Sequence, residues 1–148
     1  MGLFTSFDTS ASGLTAQRYR MDIISQNVAN ANTTRTADGT PYRRKVVVFE
    51  EKAGRASFDS VLGAVKDNYA GKGVRVSQVT EDQWTEMKKV YDPSHPDADE
   101  NGYVMYPNVD IVTEMTNLID ASRAYEANAT AFSASKSIAS KGLNMLNQ

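Results

Sequence analysis

Two regularly patterned stretches, one at each end of the chain, dominate the distribution of hydrophobic and polar positions. The first has apolar or small residues spaced by threes and fours, except where Arg18 stands: Phe7, Ala11, Leu14, Met21, Ile24, Val28 and Ala31. This spacing is typical of an amphipathic helix and predicts one over residues 6–31.

The C-terminal pattern is longer and more regular. Its spacing alternates between four and three residues, as in heptads: Ile111, Met115, Leu118, Ser122, Tyr125, Ala129, Phe132, Lys136, Ala139, Leu143 and Leu146. A helix that carries this pattern is roughly 55 Å long at 1.5 Å per residue, which is too long for the core of so small a domain. We therefore expect its apolar stripe to pack as a coiled coil.

The middle of the chain has a different texture. Residues 41–52 and 72–81 are rich in β-branched side chains and predict two short strands, and a third strand is possible over 84–91. Residues 91–103 contain two prolines, an Asn-Gly step and several acids, so we expect a loop there. Residues 53–70 have no pattern that favours one structure.

These patterns predict a mainly α fold with a small β-rich insert. Long N- and C-terminal helices would pack as a coiled coil around a middle β and loop segment. We expect an N-terminal helix at 1–33, the insert at 34–107 and a C-terminal helix at 108–148, with the two terminal helices forming one helical domain.

Composition narrows the classes of function. The 148 residues include 16 Lys and Arg against 18 Asp and Glu, a formal charge of -2 that supplies no field for binding nucleic acid. The absence of cysteine excludes thiol catalysis and thiolate metal sites. No apolar run approaches the ~20 residues that span a bilayer. The first residues also lack the basic start and apolar core of a cleavable signal peptide, so we expect none.

Asparagines cluster where the first helix should end, at positions 27, 30 and 32. Their amides could hydrogen-bond neighbouring backbone and fix the register of the helix. Asparagine also favours caps and turns, so the cluster could equally be a helix stop.

Several possible chemical sites have simpler explanations. Asp97, Asp99, Asn101 and Gly102 copy the first half of a calcium loop, but position twelve is Asn108 where a glutamate is needed. His95 is the single histidine and indicates no metal site. The basic run Arg43, Arg44 and Lys45 favours pairing with acids across an interface, or solvent, over phosphate binding. The acid pairs Glu50/Glu51 and Glu81/Asp82 are adjacent on strands, so their side chains point to opposite faces.

The longest motifs resemble one family. "GLTAQRYRMDIISQNVANANTTRTADGTPYRRKVVVF" at 13–49 resembles the N-terminal signature of bacterial flagellar axial proteins, in particular proximal-rod proteins of the C type. Residues 91–146, with "ASRAYEAN" at 121–128, are similar to the proline-bounded loop and C-terminal helix of the same family. The resemblance covers about two thirds of the chain, and residues 53–90 show no strong match to the family.

The resemblance implies a structural subunit of the basal-body rod that crosses the periplasm. Such a subunit polymerises helically with itself and other rod proteins, transmits motor torque to the hook and filament, and is exported by the flagellar type III apparatus without signal-peptide cleavage. It implies no catalytic residue, cofactor, metal, nucleic acid, small-molecule substrate or membrane insertion. The alternative is a periplasmic cell-wall-acting enzyme or accessory module.

Both terminal helices are expected to supply the subunit interface. The expected interface residues are Phe7, Leu14, Met21, Ile24, Asn27, Val28, Asn30, Ile111, Met115, Leu118, Tyr125, Ala129, Phe132, Leu143 and Leu146.

Overall fold

The computed structural model describes residues 3–52 and 73–146. In those ranges the elements in chain order are α1 (Leu3–Ala29), β1 (Lys45–Glu51), β2 (Val74–Glu81), β3 (Lys88–Tyr91), β4 (Tyr103–Tyr106) and α2 (Ile111–Leu146). The expected fold class is confirmed, because two long helices pack against each other and a small β-rich segment lies between them in the chain. The open question about residues 53–70 lies outside the described ranges.

Both predicted helices are present, with small shifts at their ends. α1 ends at Ala29, where the Asn30 side chain donates to the Gln26 carbonyl (2.9 Å) and accepts from the Thr33 hydroxyl (3.2 Å). α2 begins at Ile111 and not at Asn108. Asp110 caps it, since its carboxylate accepts from the Val112 amide and the Thr113 hydroxyl.

The strands form two separate two-stranded sheets. β1 pairs with β2, and β3 pairs with β4 in antiparallel register from Lys88 opposite Tyr106 to Tyr91 opposite Tyr103. β4 is an element that the sequence analysis missed. Gly102 precedes it with φ +77°, and a Cβ there would lie 3.0 Å from the Tyr91 ring, so this turn requires glycine.

The chain divides into two compact units, each of which takes part of both helices. Unit 1 comprises Met1–Arg18, Phe49–Ser77 and Ser122–Gln148, and unit 2 comprises Tyr19–Val48 and Gln78–Ala121. Of the buried apolar residues in the described part of the chain, Ala16 lies in unit 1. The others belong to unit 2: Ile23, Ile24, Ala31, Tyr42, Val104, Val109 and Ala121.

In unit 1 the two helices meet through rings and small residues. The Phe7 and Phe132 rings contact edge to face with centroids 5.0 Å apart. Gly13 lies so close to Asn128 that a Cβ on Gly13 would be 2.7 Å from the Asn128 Oδ1 atom. Residues early in α1 therefore lie beside residues late in α2, and the helices run antiparallel here.

The buried stripe of α2 lies about one residue earlier than the heptad pattern indicates. Glu114 and Ala121 are buried, whereas Met115 and Lys136 are exposed. Leu118 and Phe132 are half-buried, so they belong both to the heptad pattern and to the buried side of the helix. The pattern was misleading because the innermost residues here include a glutamate and an alanine, which a search for large apolar residues passes over.

Candidate functional site

Asn27 forms the centre of a buried polar junction in unit 2. Its side chain is 1% exposed and uses both ends of its amide. The Nδ2 group donates to the Lys45 carbonyl (2.9 Å) and to the Glu114 carboxylate (2.9 Å). The Oδ1 atom accepts from the Lys45 amide (2.9 Å) and from the Tyr42 hydroxyl (2.9 Å). Asn27 therefore joins α1, the start of β1 and α2 with one side chain.

The Asn27 geometry resolves the two interpretations of the asparagine cluster. Asn27 hydrogen-bonds neighbouring backbone as a register-setting residue would, through its pair of bonds to Lys45. Asn30 bonds within its own turn and acts as the helix stop. The two interpretations thus apply to different residues of the cluster.

An ion pair forms the second part of the junction. The Glu114 Oε1 atom accepts from the Arg44 Nε atom (2.8 Å) and lies 2.8 Å from a second nitrogen of the same guanidinium. Glu114 is 1% exposed, so its charge depends on this partner and on Asn27 for compensation. Arg44 also lies 3.7 Å from the Asp82 carboxylate. The basic run was expected to pair across an interface or face solvent, but Arg44 pairs within the chain.

Asn108 joins the junction to the turn that follows β2. Its Oδ1 atom accepts from the Arg44 amide (2.8 Å), and its Nδ2 group donates to the carbonyls of Asp82 (2.9 Å) and Thr85 (3.1 Å). Both ends of the Asn108 amide are therefore bound to backbone groups.

The electrostatics of the junction follow from burial and hydrogen bonding. Burial raises the pKa of Tyr42, and the negative charges of Glu114 and Glu81 raise it further. Hydrogen bonds from Thr85 lower the pKa of Asp82, with smaller contributions from Trp84 and Arg44. Tyr42 is thus held neutral and Asp82 charged.

The chemistry of these groups is that of a structural joint. The Asn27, Asn108 and Glu114 side chains are buried and fully engaged with protein partners, and residues of this kind position backbone. Across residues 3–52 and 73–146, no group of three or more His, Asp or Glu is arranged to hold a metal ion.

Three of the acids that were considered as calcium ligands or catalytic pairs, Asp97, Asp99 and Glu50, have partners within the chain. Asp97 accepts from the Thr34 hydroxyl (2.8 Å), and Asp99 accepts from the amides of Asn101 and Tyr103. Glu50 pairs with Arg75 at 3.0 Å on an exposed surface.

The residues expected at a subunit interface differ in the solvent exposure of their side chains. Ile24 and Asn27 are buried, and the side chain of Leu146 lies outside the described part. Half-buried members are Phe7, Leu14, Met21, Val28, Asn30, Leu118, Ala129 and Phe132. Exposed members are Ile111, Met115, Tyr125 and Leu143.

α2 also exposes apolar residues that the heptad pattern did not single out. Val112 and Ile119 are 73% and 53% exposed, and both stand on the same side of the helix as Met115, which is 56% exposed. We call Val112, Met115 and Ile119 the exposed α2 stripe. Its residues follow spacings of three and four, so they form a continuous apolar surface on one helix face.

Comparison with known proteins finds the same family at both ends of the chain. Residues 7–35 match the family model described as flagella basal body rod protein, and residues 100–145 match that of the flagellar basal body rod FlgEFG protein C-terminal region. Flagellar basal-body rod protein FlgC of Borreliella burgdorferi is 45% identical over 151 aligned residues, 99% of each chain. The chain belongs to this family of flagellar basal-body rod proteins.

Other members give the same result over nearly the full length. The Bacillus subtilis FlgC protein is 46% identical, with 98% of this chain and 99% of that protein aligned. The Salmonella typhimurium FlgC protein is 42% identical over 98% of each chain. The family is a structural component of the flagellar rod and not an enzyme, so the cell-wall enzyme considered from the sequence is wrong. Within the described residues no helix is both long and apolar enough for a membrane span.

Sequence reasoning missed several residues that build the site. The sequence analysis did not assign a structural role to Glu114, Tyr42 or Asn108. The sequence carries only weak signs of the buried pair, namely an acid at the start of an apolar helix stripe and an arginine beside a valine strand. Trp84 was assigned to a possible strand, whereas it lies in the turn before β3.

Proposed function

We propose that this chain polymerises helically with itself and with other rod proteins to form part of the proximal rod. The rod crosses the periplasm and transmits motor torque to the hook and filament. The subunit leaves the cytoplasm through the flagellar type III export apparatus, without cleavage of a signal peptide. Family membership supports each of these steps.

The observation that carries the proposal is the exposed α2 stripe. An isolated chain gains nothing from presenting Val112, Met115 and Ile119 to water, while contiguous apolar surface marks contacts between proteins. In a polymer every subunit can bury this surface against a neighbour. The other exposed members of the expected interface are Ile111, Tyr125 and Leu143, whereas the buried members Ile24 and Asn27 shape the subunit itself.

A charge placed on the stripe tests this directly. Met115→Asp combined with Ile119→Asp should leave the fold intact, because both side chains are exposed, but should place uncompensated charge in the subunit contact. We expect normal helicity by circular dichroism, normal export, and no rod, filament or swimming.

Ala131→Asp is the matched control, because this exposed residue of α2 lies about 160° around the helix from Met115 at ~100° per residue. The Ala131→Asp variant should retain motility. Normal swimming of the Met115→Asp, Ile119→Asp double variant would show that the stripe faces solvent in the assembled rod.

A further inference from the structure

Trp84 is the most exposed large aromatic residue in the described ranges, at 95% of its surface. It is also the single tryptophan of the chain. Burying an aromatic side chain is among the largest apolar contributions that one residue makes, and tryptophan is the residue most enriched where proteins contact each other. A fully exposed indole is therefore a candidate contact residue.

The turn that carries Trp84 is rigidly built. The Asp82 carboxylate accepts from the amides of Trp84 (3.0 Å) and Thr85 (3.1 Å) and from the Thr85 hydroxyl (2.8 Å). The Asn108 amide binds the carbonyls on both sides of Trp84, at Asp82 and Thr85. A ring on a preorganised turn loses little conformational entropy on binding, which distinguishes it from a ring on a loose loop.

Unit 2 also contains a cleft that suits such a ring. Its volume is about 350 Å³, and it is lined by Tyr19, Ile23, Gln26, Lys45, Val79, Thr80 and Glu81. Cavities of roughly 300–1,000 Å³ hold whole small-molecule ligands, so the size is sufficient for one indole. Ile23 and Val79 supply apolar contact, and the oxygens of Thr80 and Glu81 can accept the indole N–H, which is a donor only.

We propose that Trp84 is an anchor of the subunit contact and that it inserts into this cleft on a second copy of the chain. The cleft contains one charge of each sign, Lys45 and Glu81. Lys45 is the complementary partner for Glu86, which lies two residues from the ring, while Glu81 is left to accept the indole N–H. A ring and a socket at different positions on one chain make a contact that repeats from subunit to subunit. The assignment rests on the proposed function, since it names the partner in that polymer.

The absence of native cysteine allows a test by site-specific crosslinking. Two full-length chains are produced together in cells of a flagellated species whose own copy has been deleted, one with Gln83→Cys beside the ring and one with Gln26→Cys at the cleft. A short bismaleimide is added to purified basal bodies. We expect a covalent dimer only when both chains are present.

Removal of the ring provides the specificity control. Adding Trp84→Ala to the Gln83→Cys chain should lower the yield of dimer at least about tenfold, which corresponds to the loss of one anchor contact. Trp84→Phe should restore part of it. Because Trp84 is exposed, neither change should alter the circular dichroism spectrum.

Three outcomes would overturn the assignment. A dimer that forms equally well with Trp84→Ala would show that the ring is not the anchor. Crosslinking of the Gln83→Cys chain to a different protein, or no dimer although both chains are in the basal body, would exclude the cleft of a second copy. Absence of both chains from basal bodies would overturn the proposed function itself, and this assignment with it.

Discussion

The two units of the molecule hold their parts of the long helices by different means. Unit 2 contains the buried Asn27 and Glu114 side chains, the half-buried Arg44 that pairs with Glu114, and most of the buried apolar residues described. Unit 1 relies on the Phe7 and Phe132 rings and on the close approach of Gly13 to Asn128. Buried polar groups with all partners present favour one arrangement strongly, whereas ring and small-residue contacts can adjust.

This comparison indicates that the two units differ in how specifically their contacts are fixed. Unit 2 has the specific contacts that define a rigid block, and unit 1 has the thinner described core. We therefore expect changes in the polar junction to cost much more than changes at the helix contacts of unit 1.

The largest effect is expected from Arg44→Met, which breaks the ion pair of unit 2. Glu114 would remain buried with an uncompensated charge, so the free energy of unfolding should fall by about 3–5 kcal/mol. Urea denaturation followed by circular dichroism measures this loss. Arg75→Met is the matched control, because the Arg75–Glu50 pair is exposed and should contribute less than about 1 kcal/mol. Equal losses in both variants would remove the distinction between the units.

The next effect is expected from Asn27→Leu, which has a similar volume but no amide. The Lys45 amide and the Tyr42 hydroxyl would lose their acceptor. Both groups are neutral, so at roughly 1–2 kcal/mol for each of them the variant should lose about 2–4 kcal/mol. Asn32→Leu, at an exposed position three residues past the end of α1, should be nearly neutral in the same urea titration. A loss below 1 kcal/mol at Asn27 would mean that the junction tolerates apolar replacement.

A smaller effect is expected from the aromatic pair of unit 1. A double-mutant cycle with Phe7→Leu and Phe132→Leu should give a coupling energy of about 1 kcal/mol, as edge-to-face pairs usually do. The same cycle with Phe7→Leu and Leu143→Ala should give no coupling, because Leu143 is 63% exposed. A coupling as large as the loss in Arg44→Met would contradict the weaker packing assigned to unit 1.

The smallest effect is expected from the ionisation of Tyr42. Its raised pKa means that the folded state favours the neutral phenol. This contribution to stability is complete below the ordinary tyrosine pKa of 10.0 and is lost as the pH rises through the folded value. Urea titrations at increasing alkaline pH should show a steeper loss for the native chain than for Tyr42→Phe. Parallel losses in the two chains would show that Tyr42 does not contribute.

Local patterns in the sequence predicted the elements well, and distant partners account for most of what was missed. The period of apolar residues located both helices, because a helix repeats its exposed face every few residues. Asn27 and Glu114 are 87 positions apart, and Arg44 and Glu114 are 70 apart. No local pattern signals such pairs. The predicted buried positions of α2 were shifted by about one residue for the same reason. Glu114 faces inward only because Arg44 and Asn27 surround it.

The exposure of Trp84 was likewise beyond local reasoning. The run around it has the β-branched and aromatic character of a strand, but Asp82 and Asn108 hold its backbone in a turn. Asn108 acts from 26 positions away. Side chains that reach back to distant backbone decide such cases, and they become visible only in the folded chain.

The contact between α1 and the start of β2 has a consequence for how this protein can vary. The Ser12 hydroxyl accepts from the Val74 amide (3.1 Å) and donates to the Thr9 carbonyl (2.7 Å). Gly73 has φ +86°, and a Cβ at this position would overlap the Ser12 Oγ atom. The residues at positions 12 and 73 therefore do not vary independently, and we expect relatives that change one of them to change the other as well.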